Sequence, residues 1–156
     1  MIHSFFVEGV PLPAPRPRAT SIGGKARIYV PDKVRGCSMS KWRDAIYTAA
    51  IAAGVSSREA VPVVLHLHFV IPRAKSHYTE KGNLRKGAPA FPMGQNTGDA
   101  DNLSKPVMDS LPAWRDDAQV CLLQTSKRFA RTDEPPGVLV RIAYGREPLE
   151  WCKDAD

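Results

Sequence analysis

"VPVVLHLHFVIP", from Val61 to Pro72, decides the fold. Its apolar residues alternate instead of recurring every three or four. Val63, Leu65, Leu67, Phe69 and Ile71 fall on one side of an extended chain, and Val64, His66, His68 and Val70 on the other. That period of two, held between Pro62 and Pro72, predicts a long strand. His66 and His68, two residues apart, could ligate a metal together. No third ligand is near them in the sequence, so solvated or hydrogen-bonded histidines are the reading adopted.

Before this strand, "SKWRDAIYTAAIAAG", Ser40 to Gly54, predicts a helix. Ser40 is placed to cap its start and Gly54 to end it. Trp42, Ile46, Ala49, Ala50 and Ala53 form one apolar stripe. Earlier still, "SFFVEGVPLP" from Ser4 reads as a first strand, Phe5 and Val7 alternating with Phe6 and Glu8. The segment between, "PLPAPRPRATSIGGKAR", is held extended by Pro11, Pro13, Pro15 and Pro17. In such a chain Arg16 and Arg18 point the same way. They read either as a basic arm laid along a phosphate backbone or as a solvated connector.

After the long strand, Arg73 to Gly98 lacks periodicity and is rich in glycine and proline. It carries Arg73, Lys75, Lys81, Arg85 and Lys86 against Glu80 alone. A flexible basic loop over 73–98 that orders on a phosphate backbone is expected, with solvated disorder as the alternative. "AQVCLLQTSKRFA" from Ala118 predicts a strand, "DEPPG" a turn, and "VLVRIAY" a last strand with Val138, Val140, Ile142 and Tyr144 on one face. The tail, 145–156, is weakly patterned. No repeat or domain boundary is evident, so 1–156 reads as a single domain. The expected class is α/β (α+β), a small mixed sheet of about four strands packed with two main helices.

The 156 residues, 43% hydrophobic and 24% charged, suit a soluble domain with a real core. No apolar run reaches the ~20 residues of a membrane span, and the N-terminus lacks the features of a signal peptide. Cys37, Cys121 and Cys152 form neither a disulfide framework nor a zinc pattern. They read as reduced thiols of a cytoplasmic protein, with Cys121 a small core residue. The net charge of +6 is unevenly spread. Asp99 to Asp117 holds five acids against Lys105 and Arg115, a net of −3, which leaves +9 elsewhere. Basic surface on that scale favours a polyanion, nucleic acid before membrane.

The acidic window is "TGDADNLSKPVMDSLPAWRDDAQV", Thr97 to Val120. In extended backbone Asp99 and Asp101 project to one face, where like charges require something positive between them. A hard cation with oxygen ligands, Mg²⁺ first, answers that need. A helix follows, with Asn102 or Leu103 as its expected cap. Pro106 then falls in the first turn, whereas an earlier start implies a kink. Leu103, Val107 and Leu111 recur at i, i+4 and i+8. Lys105 can pair with Asp109 on the surface or donate to a phosphate one turn beyond Asp101. If the next strand lies beside Asp99 and Asp101, Asp117 completes a set of three carboxylates. Such a set suits metal-assisted phosphodiester hydrolysis, and a solvated acidic turn is the alternative.

The run "GDADNLSKPVMDSL", followed by "WRDDAQV" and "KRF", resembles the signature of the RusA-like Holliday junction resolvases, D-x-D-N-L-x-K and then D-D-x-Q-V. "PAPRPR" and "PRAKSHYTEKGNLRKGAP" resemble phage-type members, whereas the tail has no counterpart. The resemblance implies that Asp99, Asp101 and Asp117 hold Mg²⁺, with Mn²⁺ a possible substitute. It implies that Lys105 is needed for cleavage and that Asn102 and Asp116 support the site. Pro106 departs from the usual residue after the lysine. A small homodimeric α/β fold is implied, cytoplasmic and bacterial or phage-encoded. The implied substrate is branched DNA, four-way junctions above all, cut in recombination and repair. Arg16, Arg18, Lys75, Arg85, Lys86, Lys127 and Arg128 are the DNA-binding candidates, and no membrane partner is expected. Three alternatives stand beside this: a nuclease for flaps or other branches, a non-cleaving branched-DNA-binding protein, and an oligomer that packs the acidic cluster against basic neighbours.

Overall fold

The computed structural model describes residues 1–58, 61–94 and 97–145. In chain order the elements are β1 (Ile2–Glu8), β2 (Arg18–Ile22), β3 (Lys25–Tyr29), β4 (Lys33–Val34), β5 (Cys37–Ser38), α1 (Met39–Ala52), β6 (Val63–Ile71), α2 (Ala100–Met108), β7 (Val120–Phe129) and β8 (Gly137–Tyr144). The four long strands form one mixed sheet in the order β1-β8-β6-β7. β6 is antiparallel to β8 and parallel to β7. A parallel pair needs a crossover, and α2 supplies it. The expected architecture, a four-stranded mixed sheet with two helices, is present.

The period-two pattern of β6 becomes two unlike faces. Val63, Leu65, Leu67 and Phe69 are fully buried and meet Trp42, Ile46 and Ala50 of α1 and Leu103 and Val107 of α2 in one core. Val138, Val140 and Ile142 of β8 join them. His66 and His68, on the opposite face, are half-buried.

α1 begins two residues earlier than expected. Ser38, not Ser40, is the cap, and its hydroxyl accepts from the Lys41 N–H at 3.3 Å. Asp32 takes the Ser40 N–H at 2.8 Å and the Ser38 hydroxyl at 2.9 Å, so a residue from outside the helix satisfies its first turn. The other end closes as predicted. Gly54 adopts φ 75°, its N–H donates to the Ile51 carbonyl at 2.9 Å, and the Val55 N–H donates to that of Ala50 at 3.0 Å.

Three expectations need correction. The segment 11–27 is not only an extended connector, because from Arg18 it turns back into the β2–β3 hairpin, and a second hairpin, β4–β5, follows it. Cys121 is exposed, because β7 is an edge strand. Part of 73–98 is folded locally, with a helical turn at Lys75–His77 and a bridge between Tyr78 and Leu84. The tail from residue 146, with Cys152, lies outside the described residues. Among those described, no helix is long and apolar enough to cross a membrane.

On the polar face of the sheet, the Arg128 Nε–H donates to His68 Nε2 at 3.0 Å. Arginine only donates, so that nitrogen carries no proton and His68 Nδ1 donates to Ser126 Oγ at 2.7 Å. Burial, and then the Arg128 charge, pull His68 below its usual pKa. The fork of Arg128 also grips Glu134, at 2.6 and 2.5 Å, and this holds the Glu134 carboxyl at about 2. Both shifts stabilise the fold at neutral pH and weaken it in acid. The His68 contribution is full above its ordinary value of 6.5 and is lost as pH falls through the lowered folded value. The Glu134 contribution is full above 4.5 and fades toward 2. Thermal unfolding followed across pH is therefore expected to weaken below 6.5 and again below 4.5. Glu134→Gln lowers stability at pH 7, and its deficit against the native chain closes on acidification. A deficit independent of pH would contradict this assignment.

Candidate active site

α2 starts between the two leading acids. Asp99 is its cap, in extended backbone at φ −78° and ψ 152°, and Asp101 already lies in the first turn. The expected cap at Asn102 or Leu103 is therefore wrong by three residues or more. The expectation that Asp99 and Asp101 share one extended stretch fails with it.

The reason lies in the partner of one carbonyl. A helix spanning Pro106 lacks the N–H that would reach the Asn102 carbonyl. The Ala14 N–H takes that carbonyl at 2.7 Å. The proline-rich segment thus repairs the gap that the helix proline opens. Ser104, 1% exposed, donates to the Ala100 carbonyl at 2.7 Å and meets Thr125 Oγ1 at 2.9 Å. This bond seats α2 on β7. Leu103, Val107 and Leu111 are buried, as their spacing predicts.

Asp99 caps by position only, because its carboxylate accepts no first-turn N–H. The Asn102 amide donates to it at 3.4 Å. Asp99 lines a cavity of about 150 Å³ together with Arg16, Arg35, Pro13 and Asn102. Asp99 and Asp101 are both exposed. Lys105, one turn beyond Asp101, pairs at 3.5 Å with Asp109, which Arg43 also approaches at 3.3 Å.

The second motif is built differently. Asp116 caps the short helical turn Asp117–Gln119, accepting the Ala118 N–H at 2.8 Å. The Gln119 side chain reaches back to the N–H groups of Arg115 and Asp116, and its amide donates to the carbonyls of Arg58 and Val61. Asp116 and Gln119 are therefore scaffold. Asp117 is exposed, with one oxygen accepting the Trp114 indole N–H at 2.8 Å.

Asp117 does not meet the other two acids within the chain. Lys127, near the end of β7, donates to the Gly98 carbonyl at 2.6 Å, and Ser104 lies against Thr125. α2 therefore runs antiparallel to β7, and Asp117 precedes the opposite end of that strand. Helix and strand rises put roughly 20 Å between Asp117 and Asp101. Among the described residues no three Asp, Glu, His or Cys side chains come together as a metal site.

The other candidates are also placed. Arg16, Arg18, Lys75, Arg85 and Lys86 are exposed. Lys127 holds the segment that leads into Asp99, and Arg128 is engaged by Glu134 and His68. Arg35 was not singled out from the sequence. It lines the Asp99 cavity from the β4–β5 turn, where it holds a left-handed φ of 52° beside Gly36. Side chains other than glycine seldom adopt that region. The Arg-Gly pair between two short strands was the available signal.

A family model described as Endodeoxyribonuclease RusA matches residues 8–143. The chain belongs to the RusA endodeoxyribonuclease family. The match spans both motifs and the described strands and helices from β2 onward except the last residue of β8, and it takes in β1 only at Glu8. Among curated proteins there is no match to this chain. Family membership identifies a nuclease, and in this RusA-family chain Asp99 shares a cavity with Arg16 and Arg35. Two exposed carboxylates with oxygen donors only, beside cations able to face a phosphate, fit a hydrated Mg²⁺, which uses few protein carboxylates.

Ala14→Pro tests how the helix is held, since it removes the N–H that Asn102 accepts and no side-chain contact of note. An unpaired carbonyl costs about 1–3 kcal/mol. Urea unfolding is expected to show a loss in that range, and unchanged stability would mean that the bond does not support α2.

Proposed function

We propose that this RusA-family nuclease resolves four-way DNA junctions, in recombination and repair, as a homodimer that requires Mg²⁺ or Mn²⁺. The observation that carries the reading is the family match over 8–143 together with Asp99 and Asp101 at the start of α2, Lys105 one turn further along it, and Arg16 and Arg35 at the Asp99 cavity. Asp99 and Asp101 would hold the metal, and when bound it supplies an activated water and polarises the phosphoryl oxygen. Arg16 and Arg35 orient the phosphodiester over Asp99. Lys105, with its side chain 65% exposed, is free to turn from Asp109 to the phosphate and offset the charge that builds on it.

Asp117 enters from a second copy. One chain holds it roughly 20 Å from Asp101, too far for a shared ion. A two-fold pairing brings the acids of each copy to the other and yields two equivalent sites, which suits a near two-fold junction. Support for pairing comes from β7. Among the described residues its outer edge has no neighbouring strand, and Leu122 and Leu123 near its start are 39% and 44% exposed. Lys75, Arg85 and Lys86, with the basic segment before β2, would add sequence-independent phosphate contacts.

Complementation distinguishes the arrangements. Asp101→Asn and Asp117→Asn are each expected to bind junctions and fail to cut them. Mixed after co-expression or subunit exchange, they restore nicking of a synthetic junction, because one site in each mixed dimer is then fully native. Failure of the mixture would place all three acids in one chain, and undiminished cutting in excess chelator would refute the metal. A flap and a plain duplex in the same assay decide the substrate. Lys105→Ala is expected to change stability by no more than about 0.5 kcal/mol while lowering the cleavage rate on the order of 10²-fold.

A further inference from the structure

The β2–β3 hairpin stands outside the core, and nothing in the chain explains its composition. Its two strands pair only with each other. Every residue of β3 is exposed, as are all of β2 except Thr20. The register places Arg18 opposite Tyr29, Thr20 opposite Arg27 and Ile22 opposite Lys25. Directly opposed residues share a face. One face of the ribbon thus carries Arg18, Lys25 and Arg27 with Tyr29 and Ile22, and no acid lies anywhere between Arg18 and Tyr29. None of the three cations has an ion-pair partner among the described residues. The opposite face carries Ala19, Ser21, Ala26 and Ile28.

Three like charges on one side of a two-stranded ribbon repel, and an isolated hairpin is marginal in water. A polyanion removes the repulsion. The roots of the ribbon also determine where it stands. Ala14 is bonded to Asn102 of α2, and Arg16 lines the Asp99 cavity two residues before the first strand begins. At the other end, Asp32 is fixed to the start of α1. On the proposed action, DNA over Asp99 passes Arg16, and the ribbon begins two residues further on.

We propose that the β2–β3 hairpin is a DNA clamp whose Arg18, Lys25 and Arg27 face grips the phosphate backbone of a duplex arm beside the cleavage site. A two-stranded ribbon has the width that the major groove admits. The contacts are to phosphate, so they add affinity and orientation without reading sequence. Gly23 and Gly24, at φ 60° and 72°, form the tight turn that keeps the two strands in register. The inference rests on the proposed action on DNA but not on junction selectivity or on the metal.

The test is the salt dependence of binding, measured without divalent metal on a four-way junction and on a plain duplex. Replacing Arg18, Lys25 and Arg27 by Gln removes three phosphate contacts, and the slope of log affinity against log salt is expected to become shallower by about 2.7 on both DNAs. Gly23→Val with Gly24→Val keeps every charge but forbids the turn, and most of the same change in slope is expected. An unchanged slope in the triple variant, or a variant that alters oligomeric state in its place, would overturn the clamp. If the native protein binds and clamps duplex and junction alike but cuts no junction, the resolvase reading fails while this one stands.

Discussion

The carbonyl of Asn102 is where the site and the rest of the chain are joined. Pro106 leaves it without an intrahelical donor, and Ala14 supplies one at 2.7 Å. The bond does two things at once. It allows α2 to begin at Ala100, which puts Asp99 at the cap and Asp101 in the first turn. It also anchors the proline-rich segment against that helix, so that Arg16 stands at the Asp99 cavity and the β2–β3 hairpin springs from beside it. Proline-rich backbone is suited to this role. It is already extended, so fixing it costs little further entropy, and Ala14 provides an N–H among prolines that have none.

Much of the fold was legible in the sequence because much of it is periodic. The alternation in Val63–Ile71 and in Val138–Tyr144 reflects burial on one face of a sheet, and the stripe from Trp42 to Ala53 reflects a helix laid on that face. What escaped was set by contacts remote in sequence. The cap of α2 was sought inside the helix, although the partner of Asn102 lies 88 positions earlier. Cys121 was assigned to the core from its apolar neighbours, but an edge strand exposes them. The hairpin was hidden for another reason. It buries nothing, so it carries no apolar period, and only the Gly23-Gly24 pair marked its turn.

The site was legible in part. The candidate residues could be picked out from two short motifs, but their distance apart could not. A strand and a helix joined by a crossover run in opposite directions, so a motif at the start of α2 and one before β7 lie at opposite ends of the unit. The same topology makes sense of the scaffold residues. Lys127 and Ser104 hold the start of α2 against one end of β7, and Gln119 with Asp116 holds the entry to its other end.

The acidic window in a basic protein therefore has no single cause. Asp116 caps a turn, Asp109 lies between Arg43 and Lys105, and Asp117 accepts from Trp114. Of the five, Asp99 lines the basic cavity, and Asp101 follows it in the first turn of α2. Asp99 already has two arginines at its cavity, so the fold need not bring a third acid near to be stable. On the reading proposed above, that incompleteness has a use. A chain that carries two acids at each site and lends its third to a partner cannot assemble a cutting centre alone. Cleavage is then tied to a paired state whose symmetry matches that of a branched substrate, and a lone subunit on ordinary duplex lacks the means to break it.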